Sequence, residues 1–273
     1  TLFKFMKFGA MNHPSRDFVE EIKVIGEMGF DYVDFTVEGP KALPEDVEKR
    51  IVEVKDTLSS YSLDVVGHTA WFLQLAHPYD SIRRAYLEEA LKALDVLAKL
   101  GAYKVTYHPF LMVSSAYRRR PYRTKLLELM ASSFRALSRR ASDLGAVVMV
   151  ENLDGGKIWS LEEYKFIVEE GEVYFHLDVG HANLNSEKLR VEEFLKTFTP
   201  GSKLIHVHVS DNVGGSAAKG WDLHLPLGAG RIDWAKVFRL LRSYGYDETV
   251  TLEVFSKDRD YLKLSLEKAR RFA

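Results

Sequence analysis

The feature of this sequence that most constrains its fold is a repeated unit: an amphipathic helix pattern, then a glycine, then a short apolar run. Residues 16–28 place Phe18, Ile22 and Ile25 at helical spacing, Gly29 follows, and the run DYVDFTV comes next. A glycine directly after a helix commonly adopts the left-handed conformation that ends it. Short apolar runs are typical of strands in a sheet that helices cover on both faces. The same unit recurs with its glycine at Gly101, Gly145 and Gly245.

This pattern predicts eight strands and eight helices that alternate along the chain. The strands are expected near residues 4–11, 31–37, 63–68, 103–108, 146–151, 173–178, 203–208 and 249–254. The helices are expected near residues 16–28, 45–60, 81–100, 123–144, 161–169, 191–198, 234–244 and 258–271. Alternation implies parallel strands with right-handed crossovers, and eight pairs favour a closed (β/α)8 TIM barrel. Such a barrel takes about 250 residues, so residues 1–273 are predicted to form a single α/β domain.

The composition excludes several kinds of site. The chain has no cysteine, which rules out disulfides, thiolate metal ligands and a cysteine nucleophile. Its net charge of −1 requires neither a nucleic-acid nor a membrane partner. The G-x-G-x-x-G, G-K-[ST] and G-x-S-x-G motifs of nucleotide-cofactor enzymes and serine hydrolases do not occur. There is no signal-peptide pattern and no apolar run of about 18 residues, so a cytoplasmic location without membrane attachment is expected.

Metal-ligating residue types stand at the ends of six of the eight expected strands, and three more lie in the loops after strands six and seven. In a barrel of this kind the carboxyl ends of the strands carry the active site, because the loops there vary without disturbing the packed interior. We therefore expect nine side chains to converge at one rim. They are His68, His108, Glu151, Asp178, His208 and Glu253 at strand ends, with His181, Asp222 and His224 in the loops.

Each of these residues alone has an ordinary structural explanation, and their coincidence at one rim is what predicts a metal site. Several carboxylates buried together are very costly without compensating cations. Imidazoles combined with carboxylates favour Zn²⁺, followed by Mn²⁺ or Fe²⁺. Nine ligands suit two or three ions at three or four protein ligands each. By contrast, His206 and His176 lie two residues before His208 and Asp178, so they are expected one layer deeper in the barrel, as structural residues.

The residues and the segments around them resemble the xylose isomerase-like TIM barrel superfamily over nearly the whole chain. The matching segments are GHTAWFLQLAHP, YHP, VENLDGG, LDVGHANL, HVHVSDN, DLHLPLGAGRIDW and TLEVF. This superfamily includes sugar and sugar-phosphate isomerases and epimerases, in which four shared ligands bind one Mn²⁺ or similar ion. The resemblance implies that the same four ligands are present here, with the two glutamates doubling as acid and base: Glu151, Asp178, His208 and Glu253.

Within this superfamily, the segment from His68 to His77 and the Asp-x-His of residues 222–224 most resemble endonuclease IV, the family-two abasic-site endonuclease. That family adds five ligands to build a three-zinc site, and the resemblance implies that His68, His108, His181, Asp222 and His224 are their counterparts. Trp71 stands in place of a tyrosine and could stack on a base. The basic loop that endonuclease IV carries after strand two is not matched, because residues 37–46 here contain one lysine and three acidic residues.

The main functional hypothesis is therefore metal-dependent phosphodiester hydrolysis of DNA at abasic sites, with two or three zinc ions. Zinc lowers the pKa of a bound water and neutralises phosphate charge, and Glu151 is expected to act as the base. A basic segment after strand four is expected to bind phosphates, although a solvated helix start explains it equally well. Its arginines are Arg118, Arg119, Arg120 and Arg123.

The alternative hypothesis is a metal-dependent isomerase or epimerase that acts on a sugar or sugar phosphate with a single manganese ion. Glu151 and Glu253 then remove and return a carbon-bound proton through an enediolate, and His181 holds a hydroxyl. A third possibility is a metal-storing or regulatory barrel without activity. The number and identity of the bound metals distinguish the first two hypotheses.

Overall fold

The structure, a computed structural model, describes residues 6–273. Eight parallel strands close into one barrel in which each strand pairs with its neighbours in sequence and the last pairs with the first. The predicted (β/α)8 architecture is therefore confirmed. The strands are β1 (Lys7–Met11), β2 (Tyr32–Val37), β3 (Asp64–Thr69), β4 (Lys104–Tyr107), β5 (Val147–Glu151), β6 (Tyr174–Asp178), β7 (Leu204–Val209) and β8 (Thr249–Leu252).

Nine α-helices surround the barrel over the described residues, and most lie within three residues of the predicted bounds. They are α1 (Phe18–Glu27), α2 (Pro44–Lys49), α3 (Ile51–Ser60), α4 (Asp80–Lys99), α5 (Tyr122–Asp143), α6 (Leu161–Glu170), α7 (Val191–Phe198), α8 (Trp234–Ser243) and α9 (Asp260–Phe272). The single helix predicted over 45–60 is wrong: it is α2 and α3, which meet at Arg50, where φ is −114° and ψ is 19°. The first two residues of the predicted strand 4–11 lie outside the described residues.

Local sequence signals explain where the helices begin and end. The predicted start of α1 at residue 16 is two residues early because Asp17 is its N-cap, and its carboxylate accepts hydrogen bonds from the backbone N–H groups of Val19 and Glu20. Gly29 and Gly101 follow helices with φ of 80° and 94°, the left-handed conformation expected of a glycine C-cap. Over residues 6–273, no helix combines the length and apolar character needed to cross a bilayer.

The strands alternate between a face that packs on the helices and a face inside the barrel. In β2, Val33, Phe35 and Val37 belong to the large apolar core between sheet and helices. Tyr32 points inward and packs with Val66 and Met149 in a small separate cluster. Polar side chains occupy the interior beyond that cluster, toward the carboxyl ends of the strands. The barrel interior is therefore polar in its upper half, above this small apolar cluster.

The strand register places the polar side chains of three neighbouring strands in two layers. His176 of β6 pairs with His206 of β7, which pairs with Thr249 of β8. Two residues farther along, Asp178 pairs with His208, and His208 pairs with Thr251. The expectation that His206 and His176 lie one layer below their ligand-type neighbours is thereby confirmed.

Candidate metal centre

Four side chains from the ends of β5 to β8 meet at the centre of the barrel rim. Each offers one ligand atom, and these atoms all lie within 4.8 Å of one another. His208 Nδ1 lies 3.0 Å from one carboxylate oxygen of Glu253 and 3.9 Å from Asp178 Oδ2. All four side chains are buried, with at most 7% of any residue exposed. They are Glu151, Asp178, His208 and Glu253.

Two histidines from β3 and from the end of β4 lie on one side of Glu151. His108 Nε2 lies 2.9 Å from Glu151 Oε2, and His68 Nε2 lies 3.5 Å from the same oxygen. The two imidazole rings contact each other edge to face, with their centroids 4.8 Å apart. Glu151, one of the central four residues, thus contacts both histidines of this pair through its Oε2.

Three side chains from the loops after β6 and β7 complete the cluster on the other side. His181 Nδ1 lies 3.2 Å from Glu151 Oε1, and His181 Nε2 lies 3.0 Å from Asp222 Oδ2. His224 Nε2 lies 3.3 Å from the same oxygen of Asp222. His224 Nδ1 in turn lies 3.8 Å from Glu253. The structure therefore brings all nine predicted ligand residues into one continuous group, which we call the rim cluster.

Asparagine and aspartate side chains next to the ligands fix the strand ends that carry them. The Asn152 side chain accepts a hydrogen bond from the backbone N–H of Asp178 at 2.7 Å and donates one to its carbonyl oxygen at 3.0 Å. The carbonyl oxygen of Asn152 accepts the Nδ1–H of His181 at 2.8 Å. This bond orients the ring so that the other nitrogen, Nε2, faces Asp222 at 3.0 Å, and a second-shell carbonyl of this kind is what typically orients metal-bound histidines.

The loop that carries Asp222 and His224 is held by Asp211, which is fully buried. The backbone of Asp211 pairs with Leu225 in an isolated antiparallel bridge, with N···O distances of 2.8 and 2.9 Å. Its carboxylate accepts hydrogen bonds from the indole of Trp234 and from several backbone N–H groups of the GAGRI segment. Asp211 of the SDN motif therefore holds the DLHLPLGAGRIDW segment in place.

Burial and neighbouring charges shift the pKa values of the carboxylates in opposite directions. Burial raises the pKa of Asp178 to about 7. Burial also disfavours the charged form of Glu151, but the imidazoles of His176 and His108 outweigh it and hold the pKa of Glu151 well below its usual value. Histidines thus hold Glu151 in its ionised form, whereas the positive charge near Asp178 is too small to offset the effect of burial on its pKa.

The pKa values of the histidines in the rim cluster are likewise shifted in opposite directions. Burial opposes protonation of His181, but the carboxylates of Asp178 and Asp222 outweigh it and raise its pKa well above the usual value. Burial likewise opposes protonation of His224, yet nearby carboxylates raise its pKa to about 9. His108 has its pKa lowered, mainly by burial. His181 and His224 therefore hold protons that compensate carboxylates which a bound metal ion would otherwise compensate.

The chemistry of the rim cluster fits a divalent metal. Among residues 6–273, several of its buried polar atoms form no hydrogen bond, including Asp178 Oδ2, Glu151 Oε2 and both ring nitrogens of His68. Buried polar atoms without partners are rare and costly, and a coordinated cation would satisfy them. The imidazole and carboxylate donors suit Zn²⁺, Mn²⁺ or Fe²⁺ better than Ca²⁺ or Mg²⁺.

A cavity of about 840 Å³ opens directly over the rim cluster and is lined by seven of its nine residues. Trp71 lines this cavity, is half exposed, and contacts Phe110 edge to face with the ring centroids 5.1 Å apart. Phe255 and Ile158 also line it. Of the described residues that line the cavity, none is a lysine or an arginine, and the acidic Glu38 is among them.

The arginines predicted to bind phosphate lie away from this cavity. Arg118, Arg119 and Arg120 are exposed in the segment before α5, and none of them lines the cavity. The Arg123 side chain forms a two-pronged ion pair with Glu163, at 2.6 and 2.9 Å. The Arg123 guanidinium also lies over the ring of Trp159. A phosphate role for these four residues remains a prediction, to which their placement lends no support.

Sequence reasoning missed Asp34, a fully buried aspartate of β2 that lies beneath the rim cluster. Its Oδ2 lies 2.7 Å from His208 Nε2 and 3.0 Å from His206 Nε2. These hydrogen bonds outweigh the burial that opposes ionisation, so the pKa of Asp34 is held well below its usual value. A signal was present: in DYVDFTV, a charged residue occupies an inward position of a strand that is otherwise apolar.

The family model described as xylose isomerase-like TIM barrel matches residues 22–272. The chain belongs to this family. A curated relative in the family is an uncharacterized protein of Methanocaldococcus jannaschii, 26% identical over 96% of this chain and 92% of that protein. Another is the ketose 3-epimerase of Arthrobacter globiformis, 26% identical over 84% of this chain and 75% of that protein.

Solved structures share this fold. A D-tagatose 3-epimerase-like protein superposes with a TM-score of 0.79 at 23% identity, covering 98% of this chain and 97% of that one. The relative and the structure whose names refer to an activity are thus a ketose 3-epimerase and a D-tagatose 3-epimerase-like protein. The endonuclease IV interpretation and its DNA partner find no support in these comparisons, which favour the isomerase or epimerase alternative.

Proposed function

We propose that this protein is a metal-dependent epimerase or isomerase that acts on a sugar bearing a carbonyl next to a hydroxyl-bearing carbon. The observation that carries the proposal is that Glu151 and Glu253 line one cavity and flank the same candidate metal ligands, with a carboxylate oxygen of each in the group of atoms within 4.8 Å. The ketose 3-epimerase named among the relatives supports it.

In this proposal the two glutamates exchange the roles of base and acid. Glu151, Asp178, His208 and Glu253 would hold a divalent ion, which would supply Lewis acidity toward the carbonyl and hydroxyl oxygens of the sugar. One glutamate removes the proton from the carbon next to the carbonyl, which leaves an enediolate. The other glutamate returns a proton to the opposite face and inverts that carbon. His181 lines the same cavity, and its Nε2–H, which contacts Asp222 at 3.0 Å in this structure, would turn to a sugar hydroxyl when substrate is bound.

The cavity favours a sugar without a phosphate group. Recognition of a phosphate by a protein normally uses arginine or lysine, and neither type lines the cavity within residues 6–273. Glu38, which lines the cavity near His68, repels an anion, and its carboxylate can accept hydrogen bonds from hydroxyls. We therefore assign an unphosphorylated sugar as the substrate class.

The test is solvent proton exchange. The protein is loaded with Mn²⁺, Co²⁺ or Zn²⁺ and incubated in D₂O with a panel of free ketoses and aldoses, each matched by its phosphate ester. We expect deuterium at the carbon next to the carbonyl of one free sugar, together with its epimer or isomer in the NMR spectrum. A panel with neither deuterium nor a new sugar under any metal would overturn the proposal.

One observation favours a second candidate, metal-assisted hydrolysis of a phosphodiester. A single-ion epimerase needs only the central four ligands, yet His68, His108, His181, Asp222 and His224 converge on the same centre. Two or three ions here would supply a hydroxide near neutral pH and neutralise phosphate charge. A nicking assay on a DNA duplex with one abasic site tests this candidate. Zinc-dependent cleavage would support hydrolysis. No cleavage by a preparation that turns over a sugar would rule hydrolysis out.

A further inference from the structure

Asp34 is buried inside the barrel under the candidate metal centre and makes no contact with the cavity that the substrate enters. One of its oxygens, Oδ2, carries three contacts of hydrogen-bond length. The Nε2 atoms of His208 and His206 lie 2.7 and 3.0 Å from it, and the Thr251 hydroxyl donates to it at 2.8 Å. Thr251 also contacts the Tyr32 hydroxyl at 2.8 Å. A single carboxylate oxygen therefore joins β2, β7 and β8.

The contact with Asp34 determines which nitrogen of His208 faces the rim. A neutral imidazole has one N–H donor and one lone pair, and the partner of one nitrogen decides the state of the other. Because Nε2 donates to Asp34, Nδ1 is the ring nitrogen turned to the rim, where it lies 3.0 Å from Glu253 Oε2 and 3.9 Å from Asp178 Oδ2. A bound metal would take the place of the proton that Nδ1 shares with Glu253 in this structure. Nδ1 is thus the ring atom presented to a metal.

We propose that Asp34 is a positioning residue, which fixes the ring orientation and tautomer of His208 so that Nδ1 binds the metal. This inference rests on the proposed metal-dependent function. A carboxylate that accepts the second ring N–H of a metal-bound histidine both orients the ring and makes it a stronger ligand. Asp34 and His208 are 174 residues apart in the sequence. They meet because the barrel closes and brings β2 and β7 to face each other across its interior.

The cost of burying Asp34 supports a role beyond packing. A carboxylate placed wholly inside a protein is unfavourable unless several hydrogen bonds compensate it, and an apolar residue of similar size is often at least as stable. Here the three partners of Oδ2 come from two other strands, β7 and β8, and Oδ1 still has no hydrogen-bond partner among the described residues. A side chain that served only to fill the interior would need none of these partners.

The test measures metal binding rather than turnover. Wild-type protein and the variants Asp34→Val and Asp34→Asn are stripped of metal and titrated with Co²⁺, whose visible spectrum reports the ligands directly. We expect Asp34→Val to weaken Co²⁺ binding by about 10–100-fold and to change the ligand-field bands. Asp34→Asn keeps an acceptor oxygen without the charge, so we expect an intermediate loss. Thr251→Val is the matched control, because it removes one donor to Asp34 and leaves the contact with His208 intact.

A second readout is the ring N–H of His208 in the Co²⁺-loaded protein. Held by Asp34, it should give a paramagnetically shifted proton signal that exchanges slowly with water and disappears in Asp34→Val. If both Asp34 variants bind Co²⁺ as tightly as wild type, with unchanged spectra, the positioning role is wrong while the metal centre stands. If the wild-type protein binds no Co²⁺, the proposed function and this inference both fall. If Asp34→Val does not fold, the comparison of Asp34→Asn with Thr251→Val still decides.

Discussion

At the scale of single residues, Glu151 and Glu253 are proposed to act on opposite faces of one carbon, and this has a measurable consequence. Replacing either by glutamine removes one of the two proton carriers, so we expect Glu151→Gln and Glu253→Gln each to slow interconversion by about 10²–10⁴-fold. Each variant keeps one glutamate, so each should still exchange deuterium into one of the two epimers. The measurement is NMR of each pure epimer in D₂O with the metal content of each variant matched.

Glu187→Gln is the control for that pair, since it removes an exposed carboxylate outside the rim cluster and should leave both rates unchanged. Two variants that interconvert the sugars at the wild-type rate would show that these glutamates are ligands only. A pair that loses exchange with both epimers alike would point instead to a single base.

Asp178 makes the stability of the metal-free protein depend on pH. Burial raises its pKa from 3.8 to about 7, so between these values the folded state binds the proton more tightly than the unfolded state. The metal-free protein should therefore lose stability as pH rises from about 4 to about 7, by roughly 2–4 kcal/mol from this group. The check is urea unfolding of wild type and Asp178→Asn at pH 5 and pH 8. Between pH 5 and pH 8, the free energy of unfolding of the wild type should fall more than that of the variant. The same change in both proteins would contradict a raised pKa of Asp178.

At the scale of elements, the loop between β7 and α8 depends on close backbone packing at Gly230. A Cβ atom there would lie 2.3 Å from the Asn212 carbonyl oxygen and 2.3 Å from Asp211 Oδ1, and Asp211 is itself held by Trp234. Gly230→Ala must therefore displace the loop that carries two ligand-type residues. We expect a loss of about 1–3 kcal/mol of stability and less zinc per chain. Thermal unfolding and metal analysis check this, with the substitution Ala229→Ser at an exposed residue as control. An unchanged zinc content per chain in Gly230→Ala would show that the position of this loop does not affect metal binding.

The elements and the rim cluster were largely predictable because both follow from short-range rules. Helix periodicity and glycine caps locate the strands, and parallel strands of one barrel end at one rim, so His108 and Glu253 had to face the same rim. What the sequence could not supply is contact between particular distant side chains. Asp34 meets His208 only through barrel closure and register. Arg123 is basic in sequence, yet its pairing with Glu163 depends on how α5 packs on α6.

At the scale of the whole molecule, the candidate ligands come from six strands and their loops, spread from His68 to Glu253. The unfolded chain cannot present them together, so metal should bind almost only the folded barrel. A ligand at a thousand times its Kd adds about 4 kcal/mol to folding stability. For a domain of this size that corresponds to a rise in Tm of roughly 8–16 °C. Calorimetry of the chelator-treated protein, with and without added Zn²⁺ or Mn²⁺, measures it.

Two double variants turn this measurement into a choice between the candidate functions. Asp178→Asn with His208→Gln damages the central four-ligand site, and we expect it to abolish the gain in Tm with either metal, because both functions need that site. Asp222→Asn with His224→Gln removes only outer donors. If a single ion suffices, as epimerisation requires, this variant keeps nearly the whole gain and one bound metal. If two or three zinc ions share the cluster, it loses part of the gain and at least one ion, as the hydrolytic candidate requires. A Tm in the wild type that does not respond to any divalent metal would contradict both.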